Sequence, residues 1–371
     1  MKVPFLSLNT ATETVRTDVM KRFESIIDST GFVCGKNVAE FEESFAALHG
    51  VKYTVGLDSG TAGNQLAVMA SDIGNGDEVI VPANTFIATA EGVSMAGATP
   101  VFVDVLQDTF NIDPDAIAKA VTQQTKAINP VHLFGQPADM DAIRSVADRY
   151  GLKILEDCAQ SHCADHKGQK TGGLGNTASW SFYPGKNMGA WGEAGALTTN
   201  DEGVYLKARM LRDHGSSVKY HHDLVGHNFR MSEFQGAVLA EKCSHIERWT
   251  EKRRQVASWY DQGLNGIPGI VPPAVMEGVS HVYHLYVIQV KNGKREALQE
   301  YLAENEVASG LHYPVPLHLT KAYQSLGYGK GDLPIAEQLA QEILSLPMYP
   351  ELSDEQVEHV CNSIKEFIAA L

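Results

Sequence analysis

Cysteine is scarce in this sequence of 371 residues, with only five, at positions 34, 158, 163, 243 and 361. The number is odd and no C-x-x-C pair occurs, so the sequence predicts neither a disulfide scaffold nor a structural zinc site. His162 and His166 are four residues apart but have no evident third ligand, so we expect no bound metal. We therefore expect reduced thiols in a cytoplasmic protein, with Cys158 packed in the interior.

Basic residues are outnumbered by acidic ones, and long apolar runs are lacking. Thirty Lys and Arg residues face 45 Asp and Glu residues, and the formal net charge is −15. Sequence-independent nucleic-acid binding depends on Lys and Arg against phosphate, so this acidic chain is not expected to bind nucleic acid. No apolar run approaches the roughly 20 residues that span a bilayer, and the apolar part of the N-terminal segment is too short for a signal peptide. We expect no membrane partner.

What is present is an alternation of short apolar segments with helix-like stretches, which indicates parallel strands joined by crossover helices. The predicted strands cover 78–82, 99–105, 126–135, 152–158, 177–183 and 195–200, and the fold class is α/β, with a mostly parallel central sheet flanked by helices. From about residue 231 a long helical stretch changes the pattern. A strand at 284–290 follows, with helices near 294–304, 334–344 and 354–370. We predict a large domain over 1–245 and a smaller C-terminal α+β domain over 246–371.

One lysine, Lys186, follows the predicted strand 177–183 in a loop of small residues. A solvated surface lysine is the simplest interpretation. A phosphate-binding lysine of the G-x-x-x-x-G-K-[ST] type is excluded, because Trp180 replaces the first glycine and Asn187 follows the lysine. A third interpretation is a Schiff-base lysine, which needs a partly desolvated amine and close access to a flat cofactor such as pyridoxal phosphate, PLP.

Residues suited to hold PLP occur at other predicted strand ends, where ligands of open α/β sheets bind. A carboxylate for the ring nitrogen could come from Asp157 or Glu156, which strand alternation sends to opposite faces, or Asp157 could simply cap a helix. Ser59, Gly60, Thr61 and Ala62 form a turn at a predicted helix N-terminus, which suits a phosphate but is also common as an ordinary cap. Phe86 could cover the ring face or belong to the core.

Longer phrases along nearly the whole chain resemble the DegT/DnrJ/EryC1/StrS family of sugar aminotransferases, which are PLP enzymes of fold type I. The phrases are GLDSGTAGNQLAV, PVHLFGQPADMDAI, ILEDCAQSH, SFYPGKNMGAWGEAGAL, GHNFRMSEFQGAV and HYPVPLHL. The resemblance implies transfer of an amino group from an amino acid, with L-glutamate expected, to a keto-hexose linked to dTDP or UDP. It also implies pyridoxamine phosphate as the second cofactor form and a homodimer with shared active sites.

The resemblance also implies roles for individual residues. Lys186 carries the cofactor and acts as the base, and Asp157, rather than Glu156, pairs with the ring nitrogen. The remaining cofactor contacts within one chain would be Gly60, Thr61, Ala62, Phe86, Gln160 and Ser181. Asn228 would reach across the dimer interface to the phosphate of the cofactor bound by the partner subunit. Expected substrate contacts are Tyr183, Arg230, His312, Tyr313 and His318. For Arg230 a structural salt bridge is an equal alternative, and for Tyr183 a core position is the alternative.

The sequence departs from the family at one place. The family usually reads GDGGA after the lysine, whereas this chain has Glu193 and Ala194 in the segment GEAGA. The extra methyl group of Ala194 predicts less backbone freedom in that loop. Two other functions stay open: amination of keto-cyclitols for aminoglycosides, and a PLP-binding regulatory protein without turnover.

Overall fold

The computed structural model describes residues 1–370, which form twelve α-helices and fifteen strands, numbered here in chain order. The helices are α1 Asn9–Ser29, α2 Lys36–His49, α3 Gly60–Ala70, α4 Ala88–Met95, α5 Pro114–Ala120, α6 Met140–Tyr150, α7 Glu202–Arg212, α8 Glu233–Cys243, α9 Ile246–Leu264, α10 Arg295–Glu304, α11 Pro334–Glu342 and α12 Asp354–Ala369. Short 3₁₀ turns cover Leu133–Gly135, Leu317–Leu319 and Lys321–Leu326.

Seven of the strands make the central sheet. The strands are β1 Tyr53–Leu57, β2 Glu78–Pro82, β3 Thr99–Val103, β4 Thr125–Ile128, β5 Lys153–Asp157, β6 Asp165–His166, β7 Gln169–Lys170, β8 Thr177–Ser181, β9 Gly195–Thr199, β10 Ser216–Val218, β11 His221–His222, β12 Ile270–Val271, β13 Val279–Ser280, β14 Tyr286–Val290 and β15 Ile343–Leu346. The sheet order is β1-β9-β8-β5-β4-β2-β3. Only β9 runs antiparallel to its neighbours, which confirms the predicted α/β class with a mostly parallel sheet.

Local sequence signals explain where the crossover helices begin and end. In α6, the side chain of Asp139 accepts a hydrogen bond from the amide of Ala142, and Gly151 ends the helix with a φ of 68°. An aspartate at the start and a glycine in the left-handed region at the end are favourable caps. The apolar face between them packs against β4 and β5 in one buried cluster. This helix therefore ends at the glycine that its sequence predicts.

The C-terminal part forms a three-stranded antiparallel sheet, β12-β14-β15, packed against α9, α10 and α12. The predicted long helix after residue 231 is two helices, since α8 ends at Cys243 and α9 begins at Ile246. The helix predicted near 334–344 was too long, because the chain turns into β15 at Ile343. The domain boundary at 245/246 stays a prediction.

Two cross-connections join this C-terminal part to the central sheet. Leu285 and Val287 pack in the same cluster as Val79 and Val81 of β2. At the other end of the chain, Val3 pairs with Val307 and carries the N-terminal segment onto the C-terminal part. The central sheet, the C-terminal part and the N-terminal segment therefore all border the space between the two parts. Within residues 1–370, no helix is both long and apolar enough to cross a membrane.

Candidate active site

A cavity of about 600 Å³ lies at the carboxyl edge of the central sheet. Strands β1, β2, β4, β5 and β8 all end at this edge, because antiparallel β9 lies between β1 and β8 and leaves those two parallel to each other. Parallel strand ends are where open α/β sheets bind ligands. Ten of the predicted residues line the cavity: Gly60, Thr61, Phe86, Asp157, Gln160, Ser181, Tyr183, Lys186, His312 and Tyr313.

Lys186 sits in a tight turn between β8 and β9, where its amide donates a 2.8 Å hydrogen bond to the carbonyl of Tyr183. Burial lowers the pKa of its ammonium group to about 8, although the nearby charge of Asp157 opposes this change. A lysine with a pKa near 8 has a substantial neutral fraction at neutral to mildly alkaline pH, and a neutral amine can act as nucleophile and base. The turn therefore supplies a reactive amine to the cavity.

Asp157 ends β5 and is held as an acceptor by three donors. Its Oδ2 accepts hydrogen bonds from Asn64 Nδ2 at 3.1 Å and Thr89 Oγ1 at 2.8 Å, and its Oδ1 accepts one from the amide of Ala159 at 3.0 Å. The carboxylate is 3% exposed and faces the cavity. Three donors of this kind fix the orientation of the carboxylate. Asp157 is thus positioned to receive a further donor from a ligand.

Glu156, the competing carboxylate, points the other way and is fully engaged. Its Oε1 accepts from the amides of Leu174 and Gly175, and its Oε2 accepts from the amide of Gly172 and from His132 Nε2. Sequence alternation predicts this division of faces for adjacent strand residues.

The same cluster has the outline of a metal site, because ligand atoms of His132, Glu156 and Cys158 lie within 4.8 Å of one another. However, His132 Nδ1 accepts a hydrogen bond from the amide of Ala138, so a neutral ring carries its proton on Nε2 and donates it to Glu156. Each carboxylate oxygen already has two donors. The cluster therefore ties the loop at 172–175 to β5 as a structural unit.

We expect Glu156→Gln to lower the free energy of unfolding by about 2–6 kcal/mol, because the new amide NH₂ would face two buried donors and leave both without an acceptor. Denaturant unfolding measures this change. Glu247→Gln is the matched control, since Glu247 makes an exposed ion pair with Lys170 and its loss should cost at most about 1 kcal/mol. Equal stabilities of the two variants would contradict a structural role for Glu156.

The N-terminus of α3 closes one side of the cavity. Ser59 caps the helix by accepting from the amide of Ala62 at 3.1 Å, which means that this amide is not free for a ligand. The first-turn amides of Gly60 and Thr61 have no acceptor within the helix and line the cavity. A side chain at Gly60 would place its Cβ 2.7 Å from Ser181 Cβ. The close approach of helix and strand here requires glycine.

Aromatic and histidine side chains form the rest of the wall. Phe86 is 54% exposed and Tyr183 is 55% exposed, so neither is a core residue, and the ring of Phe86 lies 5.7 Å from that of Tyr313. The hydroxyl of Tyr313 accepts from Gln160 Nε2 at 3.2 Å, while Gln160 Oε1 accepts from the amide of Phe134. Burial and the charge of Lys186 lower the pKa of His312 to about 4, so its ring is neutral.

His284 lines the cavity and was not predicted from the sequence. Asn187 Nδ2 donates to the carbonyl of Val282, which turns Asn187 Oδ1 toward His284 Nδ1 at 3.2 Å. Burial, together with the charge of Lys186, holds the pKa of His284 well below its usual value. The ring is therefore neutral, with its proton on Nδ1 and a free acceptor at Nε2.

Four predicted residues lie outside the lining of this cavity: Ala62, whose amide is used by the Ser59 cap, and Asn228, Arg230 and His318. Asn228 is exposed and accepts from Arg230 Nε, and Arg230 pairs with Asp213 at 3.0 Å, which is the salt bridge anticipated as its alternative. His318 is buried, and its Nε2 bonds to Glu337 at 3.1 Å, so its ring is not available to a ligand in the cavity. The reason is local: the 3₁₀ turn at 317–319 turns that side chain into the core.

Sequence reasoning also missed Asn64 and Thr89, which hold Asp157. Helix periodicity could have identified both, because residues three or four apart lie on the same helix face. Asn64 follows Gly60 by four residues, and Thr89 follows Phe86 by three. The departure at Glu193 and Ala194 is accommodated: Glu193 lines the cavity and Ala194 is buried in a backbone conformation outside the left-handed region. The loop does not need glycine at that position.

Comparison with known proteins identifies the family of the chain. The sequence model of the DegT/DnrJ/EryC1/StrS aminotransferase family matches residues 13–365. A "Pleiotropic regulatory protein" of Geobacillus stearothermophilus is 44% identical over 369 residues, 99% of both chains. The dTDP-3-amino-3,4,6-trideoxy-alpha-D-glucose transaminase of Streptomyces venezuelae is 41% identical over 99% of this chain and 96% of its own.

A solved structure is similar over almost the whole fold. The crystal structure of S. venezuelae DesV in complex with a ketimine intermediate matches with a TM-score of 0.96 and 41% identity, and covers 99% of this chain and 98% of that one. Agreement in family model, relatives and fold extends over nearly every residue described above. The chain therefore belongs to the DegT/DnrJ/EryC1/StrS aminotransferase family.

Proposed function

We propose that the protein moves an amino group from an amino acid, L-glutamate in our proposal, to a keto-hexose linked to dTDP or UDP, using PLP. The observation that carries the proposal is that one cavity contains both a lysine of lowered pKa, Lys186, and the buried carboxylate of Asp157. The name of the S. venezuelae relative, a dTDP-amino-sugar transaminase, supports the class of acceptor.

The residues of the cavity fit PLP and its aminated form, pyridoxamine phosphate. Asp157 Oδ1 has one protein donor and can accept a second from a protonated ring nitrogen. Gly60, Thr61 and Ser181 lie together at the N-terminal end of α3, where amides and the helix dipole favour a phosphate. Phe86 would lie against the ring face and Gln160 near the ring hydroxyl. When bound, PLP supplies an electron sink for the carbon that carries the amino group.

The protein's own part in the reaction is positioning and proton transfer. In the first half-reaction, neutral Lys186 Nζ would accept the proton from the carbon of the donor that carries the amino group. In the second half-reaction, it would supply a proton to the acceptor carbon that receives the amino group. Asp157 would hold the cofactor's ring nitrogen protonated through its charge. Tyr183, His312 and Tyr313 line the same cavity and would contact the sugar, with the ring of His312 neutral.

A homodimer with shared sites is part of the proposal. Asn228 lies outside the cavity of its own chain, beside a surface segment that exposes Tyr220 (81%) and Val225 (91%). Exposed apolar groups of this kind favour burial against a partner. We propose that a second copy covers this segment and that Asn228 reaches the phosphate site of that copy, with Arg230 beside it near the substrate. A cytoplasmic location stays a prediction.

The test is a two-stage single turnover with the purified protein. L-glutamate alone should convert the bound cofactor to its amine form, seen as loss of the visible absorbance band, and a nucleotide-linked keto-hexose should then restore the band. Keto-cyclitols serve as the competing acceptors. Conversion by glutamate with restoration only by a keto-cyclitol would contradict the sugar assignment. No conversion by any amino acid would favour a regulatory protein, the role that the name of the Geobacillus relative suggests.

A further inference from the structure

A chain of hydrogen bonds runs from the interior of the central sheet to the carboxylate of Asp157. Ser179 lies in β8, is 1% exposed and is not among the residues that line the cavity. Its Oγ donates to Asn64 Oδ1 at 2.6 Å, and Asn64 Nδ2 donates to Asp157 Oδ2 at 3.1 Å. The chain of bonds thus connects a residue outside the cavity with the carboxylate inside it.

The packing of α3 on the sheet makes this connection possible. Asp157 of β5 and Ser179 of β8 are strand partners, so their side chains lie on the same face of the sheet. A Cβ at Gly63 would lie 3.2 Å from Ser179 Cβ and 2.8 Å from the carbonyl oxygen of Ala196. Because Gly63 has no Cβ, α3 can approach this closely, and the short side chain of Asn64, the next residue, bridges the cross-strand pair.

The chemistry of the three groups leaves only one direction for these bonds. An ionised carboxylate can only accept, so the atom of Asn64 that faces Asp157 must be the amide nitrogen. Asn64 Oδ1 then faces Ser179, whose hydroxyl donates to it. The hydroxyl of Ser179 therefore holds the amide of Asn64 in the orientation in which it donates to Asp157.

Thr89 supplies the second donor to the same carboxylate oxygen. Thr89 Oγ1 donates to Asp157 Oδ2 at 2.8 Å and so accepts from Thr85 Oγ1, which lies 3.0 Å away. Oδ2 thus has two donors, while Oδ1 accepts only from the amide of Ala159. Turning the carboxylate about its bond to Cβ would break all three of its hydrogen bonds. These neighbours decide which oxygen keeps a free lone pair for a ligand.

We infer that Ser179 and Asn64 are positioning residues for the proposed reaction, which hold Asp157 with Oδ1 free to accept from the ring nitrogen of PLP. Ser179 acts through Asn64, and Asn64 acts through Asp157. The inference rests on the proposed function, because that function assigns the ring nitrogen to Asp157. Small errors in the placement of a catalytic group are costly, since about 1 Å can reduce a rate by about a hundredfold.

The test compares Asn64→Leu, Ser179→Ala and the double variant, each reconstituted with PLP that carries ¹⁵N in its ring. Asn64→Leu keeps the branched shape and removes the donor, so single-turnover conversion by L-glutamate should slow about tenfold, and Ser179→Ala should slow it about threefold. The ¹⁵N chemical shift should move from the protonated toward the unprotonated value in the same order. The double variant should be no slower than Asn64→Leu, because Ser179 acts only through Asn64.

Stability measurements separate positioning from packing. Asn64→Leu leaves the hydroxyl of Ser179 without its acceptor, and the double variant removes that hydroxyl. The unfolding midpoint should therefore fall in Asn64→Leu and partly recover in the double variant, whereas the rate should not recover. Thr199→Val is the matched control, since it removes a buried hydroxyl that donates to the carbonyl of Asn176 outside the cavity. It should lose stability and keep the wild-type rate and ¹⁵N shift.

Two results would overturn the inference alone. One is a wild-type rate and ¹⁵N shift in both single variants, and the other is a rate that recovers together with stability in the double variant. A wild-type protein that binds no PLP, or whose bound ring nitrogen is unprotonated, would refute the proposed function and this inference with it. If Asn64→Leu does not fold, the smaller change Ser179→Ala decides through its rate and ¹⁵N shift.

Discussion

Lys186→Ala should reduce the rate of amino transfer by at least about a thousandfold, because it removes both the covalent attachment point and the base of the proposed reaction. General acid–base catalysis alone contributes about 10²–10⁴-fold. The measurement is single-turnover conversion with L-glutamate, together with borohydride reduction, which should fix the cofactor on Lys186 in the wild type and leave Lys186→Ala unlabelled. Lys321→Ala, at an exposed lysine, is the control and should be fully active. Labelling of a different lysine would contradict the assignment.

The same variant tests the shared site. Mixed with a chain that carries a bulky acidic residue at position 228, Lys186→Ala should form heterodimers in which one site has an intact lysine and an intact Asn228. About half of the wild-type activity per heterodimer should return, since one of two sites is rebuilt. Co-purification of differently tagged chains shows that exchange has taken place. Exchanged heterodimers without activity would refute the role of Asn228 across the interface.

Asp157→Asn should lower the rate of the glutamate half-reaction by about a hundredfold or more. An amide has no charge to keep a ring nitrogen protonated, and loss of one charge-stabilising group in an active site typically costs about 10²–10³-fold. The buried donors Asn64, Thr89 and the amide of Ala159 would meet an NH₂ group in place of one oxygen, so a loss of about 1–3 kcal/mol in stability is also expected.

Asp104→Asn separates these two effects. Asp104 is a partly buried carboxylate at the end of β3 that accepts from the amides of Ile335 and Ala336, and it lies outside the cavity lining. It should lose comparable stability and keep its activity. A rate for Asp157→Asn close to that of Asp104→Asn would mean that Asp157 serves only to hold its neighbours in place.

The parts of the site that lie at strand ends could be predicted from the sequence, because strand ends of an α/β sheet share one edge. Lys186, Asp157 and Gly60 were found in this way. Strand alternation could separate Asp157 from Glu156 but could not say which faced the cavity. That choice depends on the loop at 172–175, whose amides fold back over Glu156, and its position is a tertiary property.

Other elements could not be predicted, because distant segments decide them. Ile343 and Leu344 continue the apolar pattern of α11, yet they belong to β15, because this strand pairs with β14 along its whole length. His284 enters the cavity because β14 begins beside the central sheet. His318 sits in the same Pro-rich loop as His312 but turns inward to Glu337. Short local patterns do not carry such information.

The position of β9 between β1 and β8 has a consequence for the order in which the chain folds. Tyr53 pairs with Thr199, and the carbonyl of Ser59 packs so closely on Gly195 that a Cβ there would lie 2.1 Å from it. The helix end that would hold the phosphate is thus packed against β9, a strand made much later in synthesis. Pairings of such sequence separation form slowly, and until β9 pairs with it β1 has no strand partner on either side. We therefore expect nascent chains that have not reached β9 to be prone to aggregation.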